Sequence, residues 1–500
     1  MKLSDPLPSD LYLAAQVREL DRVTIEDHGI PGSQLMARAG KTALRILRHH
    51  WPEAQRYNIV CGVGNNAGDG YVLARLARAE GYKARVFQVG EVSRLRGDAK
   101  TAYEAFLSSG GTPLPFSEGC LAGADINVDA LLGTGLTGEV RSPFREAIAA
   151  INLAKLPTLS IDIPSGLCAD TGTPLGEAVR AEVTVTFIGL KLGLFTGEGP
   201  AYAGKVLFSD LKVPEEVYHS VRPCAQRLSL ESLSKKWLSP RKRTAHKGNF
   251  GHVLVIGGAP GYAGAARLAS EAAARVGAGL VSLATHPNHA AQITAFRPEI
   301  MAHAAADPKD LVDLLKRATV LVLGPGLSSS DWGVALWKVA MASNLPIVLD
   351  ADALNLLAAT QDQEFLPRSH WVFTPHPGEA SRLLGKTAAQ VQNNRTAALA
   401  DLIQKYGGTW VLKGAGTLVS NDQNLIGVCS VSNPGMASGG MGDVLSGVIG
   451  GLLAQGIPAP EAAQLGVCLH AEAAVLASRE GERGMLASDL MPYLRRLANP

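Results

Sequence analysis

The chain has 500 residues, of which 46% are hydrophobic, 18% charged and 5% aromatic, with 54 glycines and 28 prolines; this excludes disorder and is more than one core usually serves. A formal net charge of +2 provides no global field, and the basic run "RKRTAHK" at 241 to 247 is short and has no interleaved aromatics, so nucleic acid is not an expected partner. Six scattered cysteines without a C-x-x-C pair, no apolar leader and no long uncharged apolar stretch argue against a disulfide framework, a zinc site and a membrane span, and for a cytoplasmic protein.

In chain order, "AAQVRELDRVTIEDHGIPGSQLMARAGKTALRIL" repeats apolar residues at helical spacing on both sides of a Gly-Ile-Pro-Gly break, which predicts two helices. "RYNIVCGVGNNAGDGYVLARLARAEG" reads as a buried strand, a glycine loop and an amphipathic helix, the front of a βαβ unit. The rhythm continues through "KARVFQVG", "ADINVDALLGTGL", "PTLSIDIPSG" and "AEVTVTFIGLKLGL", each a short β-rich run ending in glycine or acid. Helical periodicity lapses between about 212 and 247, where prolines and charges mix, and a domain boundary is expected there, dividing the chain into residues 1–222 and 223–500. The same grammar restarts with "GHVLVIGGAPGYAGAARLASEAAARVGAGLVSLAT". Strands follow in "ATVLVLGPGL", "LPIVLDADAL", "HWVFTPHPGEA" and "GGTWVLKGAGTLVS". The loop motifs of the two halves differ and no fixed period appears, so these are two different α/β domains rather than a duplication.

In the first half, "GNNAGDG" at 64 to 70 follows a strand and would turn backbone N–H groups toward a ligand, although a capped strand-to-helix turn explains such a loop equally well. What adds weight is that other strand ends deliver Asp129, Asp162 with Ser165, and Lys191 to the same crevice. Asn, Asp and Ser oxygens without Cys or His suit a hard cation such as K⁺ or Mg²⁺, and an Asp beside a Lys can move a proton.

The runs "NNAGD", "DALLGTGLTGE", "DIPSG" and "GLKLG" resemble the NAD(P)HX epimerase family, which interconverts the R and S epimers of hydrated NADH and NADPH; the likeness covers residues 10 to 215. It implies a Rossmann-like α/β/α sandwich in which Asn66, Asp129 and Ser165 bind K⁺. Asn65, Asn66, Ala67, Gly68 and Asp69, with Gly133, Thr134, Gly135, Leu136, Thr137, Gly138, Glu139 and Asp162, would contact the hydrate, and Asp162 with Lys191 would transfer the proton. Ala67 departs from the family's usual glycine, and alanine would strain the loop if that position takes a positive φ.

The second half has no G-x-x-x-x-G-K-[ST], so it is not a P-loop protein. In "NPGMASGGMGDVLSG", Gly439, Gly440 and Gly442 can form an anion nest at a helix start. Asp443 would repel phosphate there, so it either caps the helix or takes a proton from a hydroxyl as a phosphoryl group moves onto it. "KGAGT" puts Lys413 beside a glycine turn suited to gripping phosphate, and "GPGL" and "HPGE" end two other strands. His376, fixed between two prolines, is either a loop hydrogen bonder or a ligand contact. Asp350, Asp352 and Glu379 are open to two readings, as turn formers or as holders of Mg²⁺ through water.

A glycine loop closed by an Asp base is similar to ribokinase-like kinases, and "GYAGAARLASEAAARVGAGLV", "GPGL", "HPGE", "KGAGT" and "NPGMASGGMGDVLSG" most resemble the NAD(P)H-hydrate dehydratases over about 245 to 495. The resemblance implies a ribokinase-like α/β/α sandwich in which Lys413, Gly414, Ala415, Gly416 and Thr417 bind the nucleotide together with Asn433 to Gly442. Gly264, Ala265, Gly326, His376 and Asp443 would face the hydrate. Ser438 stands where threonine is common and keeps the hydroxyl. The expected protein is a bifunctional, homo-oligomeric repair enzyme that epimerises NADHX and NADPHX and dehydrates the S form with Mg²⁺ and ADP, releasing AMP and phosphate. Glycines do not discriminate ADP from ATP; the resemblance favours ADP. The alternative is a vitamin-precursor-type kinase with a noncatalytic nucleotide-binding first half.

Overall fold

The computed structural model describes residues 6–117, 119–360 and 369–499, and contacts divide the chain into two compact units at Gln226/Arg227. In the first unit, strands β1 (Asp10–Tyr12), β2 (Arg56–Cys61), β3 (Lys83–Gln88), β4 (Leu114–Pro115), β5 (Ile126–Ala130), β6 (Thr158–Ile161), β7 (Val183–Phe187), β8 (Leu190–Lys191), β9 (Lys205–Ser209) and β10 (Ala225–Arg227) alternate with helices. Seven of them form a parallel sheet in the order β4-β3-β2-β5-β6-β7-β9. Consecutive residues of a central strand feed opposite cores: Ile59 packs with one apolar cluster and Val60 with another. Both faces are therefore covered by helices, the α/β/α arrangement expected of a buried parallel sheet. The strand order changes direction between β2 and β5, and the crevice at their carboxyl ends is where open sheets of this type bind ligands. A separate small ribbon pairs β1 with β10 and β8, setting Tyr12 opposite Lys191.

The second unit contains β11 (His252–Ile256), β12 (Leu280–Thr285), β13 (Met301–Ala304), β14 (Val320–Leu323), β15 (Ile347–Leu349), β16 (Val372–Phe373), β17 (Thr409–Leu412), β18 (Thr417–Ser420) and β19 (Ile426–Cys429). They run in the order β13-β12-β11-β14-β15-β16-β17-β18-β19, parallel through β17 and antiparallel after it. The helices Ala263–Arg275 and Met441–Ala454 meet backbone to backbone. A Cβ on Gly447 would come within 2.1 Å of the Ala269 carbonyl oxygen, and one on Gly451 within 2.6 Å of the Ala273 oxygen. Among the described residues no helix is long and apolar enough to cross a membrane, and all six cysteines are free thiols.

Three local expectations change. The stretch between 212 and 247, read as lacking helical periodicity, contains the short helices Glu215–His219 and Leu230–Trp237; each is too brief for a full amphipathic repeat, and the second is announced by its Ser229 cap. The edge strand β13 went unanticipated because "MAHA" has no β-branched residue and no buried alternation. Ala67 does not need a positive φ: it sits fully buried in the first turn of the helix Asn65–Ala79, whose N-cap is Gly64. The nearby position that requires glycine is 68, where a Cβ would lie 2.5 Å from the Met36 sulfur and 3.0 Å from the Ala99 Cα.

Candidate active sites

At the first unit's switch point, Asp129 closes β5 and is fully buried with Ser165 and Ser160. Its carboxylate accepts four hydrogen bonds, supplied by β6, the chain turn that follows it and the end of β5. Oδ1 takes Ser165 Oγ at 2.5 Å and the Leu131 N–H at 3.2 Å; Oδ2 takes the Ser160 hydroxyl and the Ser165 N–H, both at 2.8 Å. Burial pushes the carboxyl above its ordinary value and these donors pull it back only partly. Asn66 lies in the next helix's first turn, and its amide donates to the Leu132 carbonyl at 3.0 Å. That orients Oδ1 the other way, and this buried oxygen has no donor among the described residues. The three predicted cation ligands thus converge around Leu132, whose N–H also reaches Ser165 Oγ at 2.8 Å.

Asp162 follows β6 with φ at +69°, a left-handed conformation that turns its side chain onto Lys191 Nζ. Lys191 is completely buried and also donates to Thr186 Oγ1 and the Phe187 carbonyl, each at 3.0 Å. Asp69 joins the group: burial, and then the nearby Asp162 carboxylate, hold it well above the usual carboxylate range. Gly133 sits beside Asn66, whereas the outer loop residues Thr137, Gly138 and Glu139, like Asn65, are exposed. Two participants were missed in the sequence. Asp21, on the helix Ala14–Glu26, feels both Lys191 and Asp162 and is pushed up to about 6, chiefly by burial. Arg18, one turn earlier on the same face, reaches the Thr134 carbonyl at 3.4 Å. The visible signal was the i, i+3 pair of charges in "VRELDR", which reads as an ordinary solvated face.

In the second unit the strand ends again converge. Asp350, after β15, is buried, and its Oδ1 accepts from Lys413 Nζ at 2.8 Å; Lys413 follows β17 and also lies 3.8 Å from Glu379 Oε2. Burial alone would lower the Lys413 ammonium, but Asp350, Glu379 and Asp443 more than offset it and hold it above its ordinary value. Gly442 packs on both partners: a Cβ there would meet Lys413 Nζ at 3.2 Å and Asp350 Oδ2 at 3.7 Å. The cap of the helix Met441–Ala454 is Gly440, left-handed at φ +91°, so Asp443 is not the N-cap and its carboxylate is left for other work. Burial, and then Asp350, push Asp443 up to about 7. Glu379 rises to about 7 for the same two reasons, with Lys413 opposing.

His376 has a definite structural role. Nδ1 accepts from the backbone N–H groups of Gly378 and Glu379 at 2.9 and 3.3 Å and caps the helix Pro377–Leu384, while the half-exposed Nε2 lies 3.4 Å from Glu379 Oε1. Burial, then Lys413, keep the ring below its ordinary value and hence neutral. Asp352 is used locally, its Oδ2 accepting the Ser328 N–H at 2.8 Å. Gly326, at φ +61°, approaches Ala265 so closely that a Cβ would touch it at 3.3 Å, which joins the ends of β14 and β11 across the switch point. Two buried residues behind Lys413 escaped the sequence reading because nothing local marks them. Arg395 donates from Nη2 to the carbonyls of Leu412 and Lys413 at 2.9 and 3.2 Å and so shapes the "KGAGT" turn. Burial, then Lys413, drop His470 to about 4.

Fold and site together define a two-domain α/β enzyme whose second half sets strand-end acids and a lysine beside a glycine-rich helix start. Residues 253–496 match the NAD(P)H-hydrate dehydratase family and residues 32–193 the YjeF-related protein N-terminus family. Bifunctional NAD(P)H-hydrate repair enzymes match over essentially the whole chain. That of Coxiella burnetii is 49% identical, covering 98% of this chain and 99% of its own, and that of Escherichia coli is 42% identical, covering 99% and 95%. Among solved structures, a ribokinase-like superfamily protein of Enterococcus faecalis is similar with a TM-score of 0.50 at 29% identity, covering 55% of this chain and 96% of that one. The chain belongs to the family of bifunctional NAD(P)H-hydrate repair enzymes.

Proposed function

We propose that the first unit interconverts the R and S epimers of NADHX and NADPHX and that the second dehydrates the S epimer, with ADP as phosphate donor, back to NADH or NADPH. The observation that carries this reading is Asp443. It is a carboxyl released from capping, raised into the neutral range, and set beside a glycine nest and a lysine, as a base that readies a hydroxyl needs to be.

Hydroxide is a poor leaving group from the hydrated ring. Asp443 takes the hydroxyl proton as that oxygen attacks the terminal phosphorus of ADP and AMP departs. The C–O bond of the resulting phosphoester then breaks with push from the ring nitrogen, and loss of the neighbouring ring proton restores NAD(P)H. Lys413 would grip the phosphates from the "KGAGT" turn, with the Gly439, Gly440 and Gly442 amides opposite it, while Ala265, Gly326 and His376 face the hydrate. Asp350, Asp352, Glu379 and Asp443 outnumber Lys413, so a polyphosphate enters this acidic neighbourhood with a divalent cation, for which Mg²⁺ fits. Among the described residues no three of His, Cys, Asp and Glu form a metal cage, so Mg²⁺ would be held through water and phosphate oxygens beside Asp350 or Glu379, where it would spread phosphoryl charge.

In the first unit Asp162, steered by Lys191, would exchange the proton, with Asp69 and Asp21 modulating it. Asn66 Oδ1, Asp129 and Ser165 offer the oxygen-only shell that K⁺ takes, and the unsatisfied amide oxygen of Asn66 is the feature that asks for a cation. Free thiols throughout suit a reducing, cytoplasmic setting. Full-length relatives favour repair over a vitamin-precursor-type kinase. The test is incubation of the R epimer with ADP and, in parallel, ATP, following NADH absorbance. Recovery of NADH from R as well as S, faster with ADP, is expected. A stable phosphorylated product without NADH would overturn the dehydratase half.

A further inference from the structure

The basic run at 241 to 247 has one member with a defined place. Arg241 stacks its guanidinium 3.6 Å over the Phe250 ring and donates to the Gly277 carbonyl at 2.5 Å and Gln455 Oε1 at 2.8 Å. These residues wall a cavity of about 660 Å³ in the second unit, a volume suited to a small organic ligand. It lies away from the reacting groups. Its walls come from the carboxyl ends of the helices Ala263–Arg275 and Met441–Ala454, whereas Ala265 and Asp443 stand at their amino ends.

The cavity's charge is out of balance. Arg241, Arg275, Arg297 and Arg495 face it, against Glu271 and Glu299. Arg275 and Arg297 share the one buried Glu271 carboxylate, at 3.4 and 2.8 Å; among the described residues Arg241 bonds to uncharged oxygens; Arg495 is exposed. Two buried N–H donors on the wall, Trp237 Nε1 and Arg297 Nε, have no acceptor among the described residues. Surplus guanidinium forks and orphaned donors call for an acceptor-rich anion, and arginine without any lysine is the choice for phosphate oxygens taken two at a time. Val276, Ile300 and Ile457 add apolar wall for a carbon body. We propose that this cavity is a second ligand site, distinct from both reacting centres, that binds a small organic phosphate.

Inorganic pyrophosphate is a probe of the anionic half of such a ligand. Calorimetric titration into the full-length protein is expected to show binding that Arg495→Ala, which leaves no buried group unpaired, weakens at least tenfold. Arg297→Gln, which leaves Glu271 its Arg275 partner, is expected to do the same, with the KM for ADP unchanged in both variants and the melting temperature unchanged in Arg495→Ala. Citrate is expected to bind at least tenfold more weakly. Absence of pyrophosphate binding to the unaltered protein, an affinity in either variant equal to that of the unaltered protein, or citrate binding as tight as pyrophosphate would each overturn the proposal.

Discussion

Asp443→Asn is expected to make the second unit inactive and more stable, and the pH dependence of the gain identifies its cause. The carboxyl moves from its ordinary 3.8 to about 7 because burial and the nearby Asp350 penalise its charged form. At about 1.4 kcal/mol per tenfold change in proton affinity, ionising it in the folded state costs roughly 4 kcal/mol, and partial contact with solvent brings the expected figure to about 2–4 kcal/mol. The sign follows from proton binding. Below pH 3.8 the native and unfolded chains are both protonated and the penalty is absent; it grows through the window up to about 7 and is complete above it. Asparagine keeps the shape without the charge, so its advantage over aspartate should be small near pH 4 and full near pH 8. Five of the six tryptophans lie in the second unit, so denaturant titration followed by tryptophan fluorescence reports on it at both pH values. Dehydration should fall by about 10²–10⁴ in the same variant. A variant no more stable at pH 8 than at pH 4, relative to the native chain, or one that dehydrates (S)-NADHX within tenfold of it, would refute the reasoning.

Other outcomes follow from the same geometry. The kcat/KM for dehydration should rise with pH through about 7, where the base that must be ionised titrates, and a profile flat from pH 5 to 9 would argue against Asp443. Asp162→Asn should cut R-to-S conversion by at least about 10² while leaving dehydration of the pure S epimer intact, as separate assays of the two steps would reveal. Asn66→Ala removes a buried amide oxygen that has no donor among the described residues, so the K⁺ concentration giving half-maximal epimerisation should rise roughly tenfold in a potassium titration. Gly68→Ala should lower stability by about 1–3 kcal/mol through its collision with Met36 and Ala99. Ala67→Gly should cost only about 1 kcal/mol of helix propensity and restore no activity, measured by thermal unfolding and epimerase rate.

Much of both sites was legible because their residues sit at strand ends, where short apolar runs stop at an acid or a glycine. Asp129, Asp162 and Lys413 announce themselves that way, and Asp443 by the glycine loop that leads into its helix. Less legible was anything set by distant packing. Arg395 is unremarkable in "NNRTAAL", and only the fold lays its guanidinium under the carbonyls of Leu412 and Lys413. Asp21 and Arg18 lie on a helix whose charges look solvated until β1 pairs with β8 and sets that helix beside Lys191. The helical state of Ala67 was hidden for a related reason: a glycine-rich string does not reveal where a loop ends and a helix begins, and here Gly64 makes that decision. His376 reads as a ligand contact or a loop anchor in sequence, and its capping bonds show the second use without removing Nε2 from the first.

The seam at Gly447 and Gly451 has a consequence for how this family can drift. Every single-base change in the first two positions of a glycine codon either stops the chain or introduces a Cβ, and at these two positions that carbon would meet main-chain oxygens of the neighbouring helix. Backbone cannot rotate away as a side chain can, so compensation would require moving a whole helix, with Asp443 at its other end. A saturation library scored for dehydration should show near-total intolerance at these two positions one helical turn apart, with no charge or catalytic group at either to explain it.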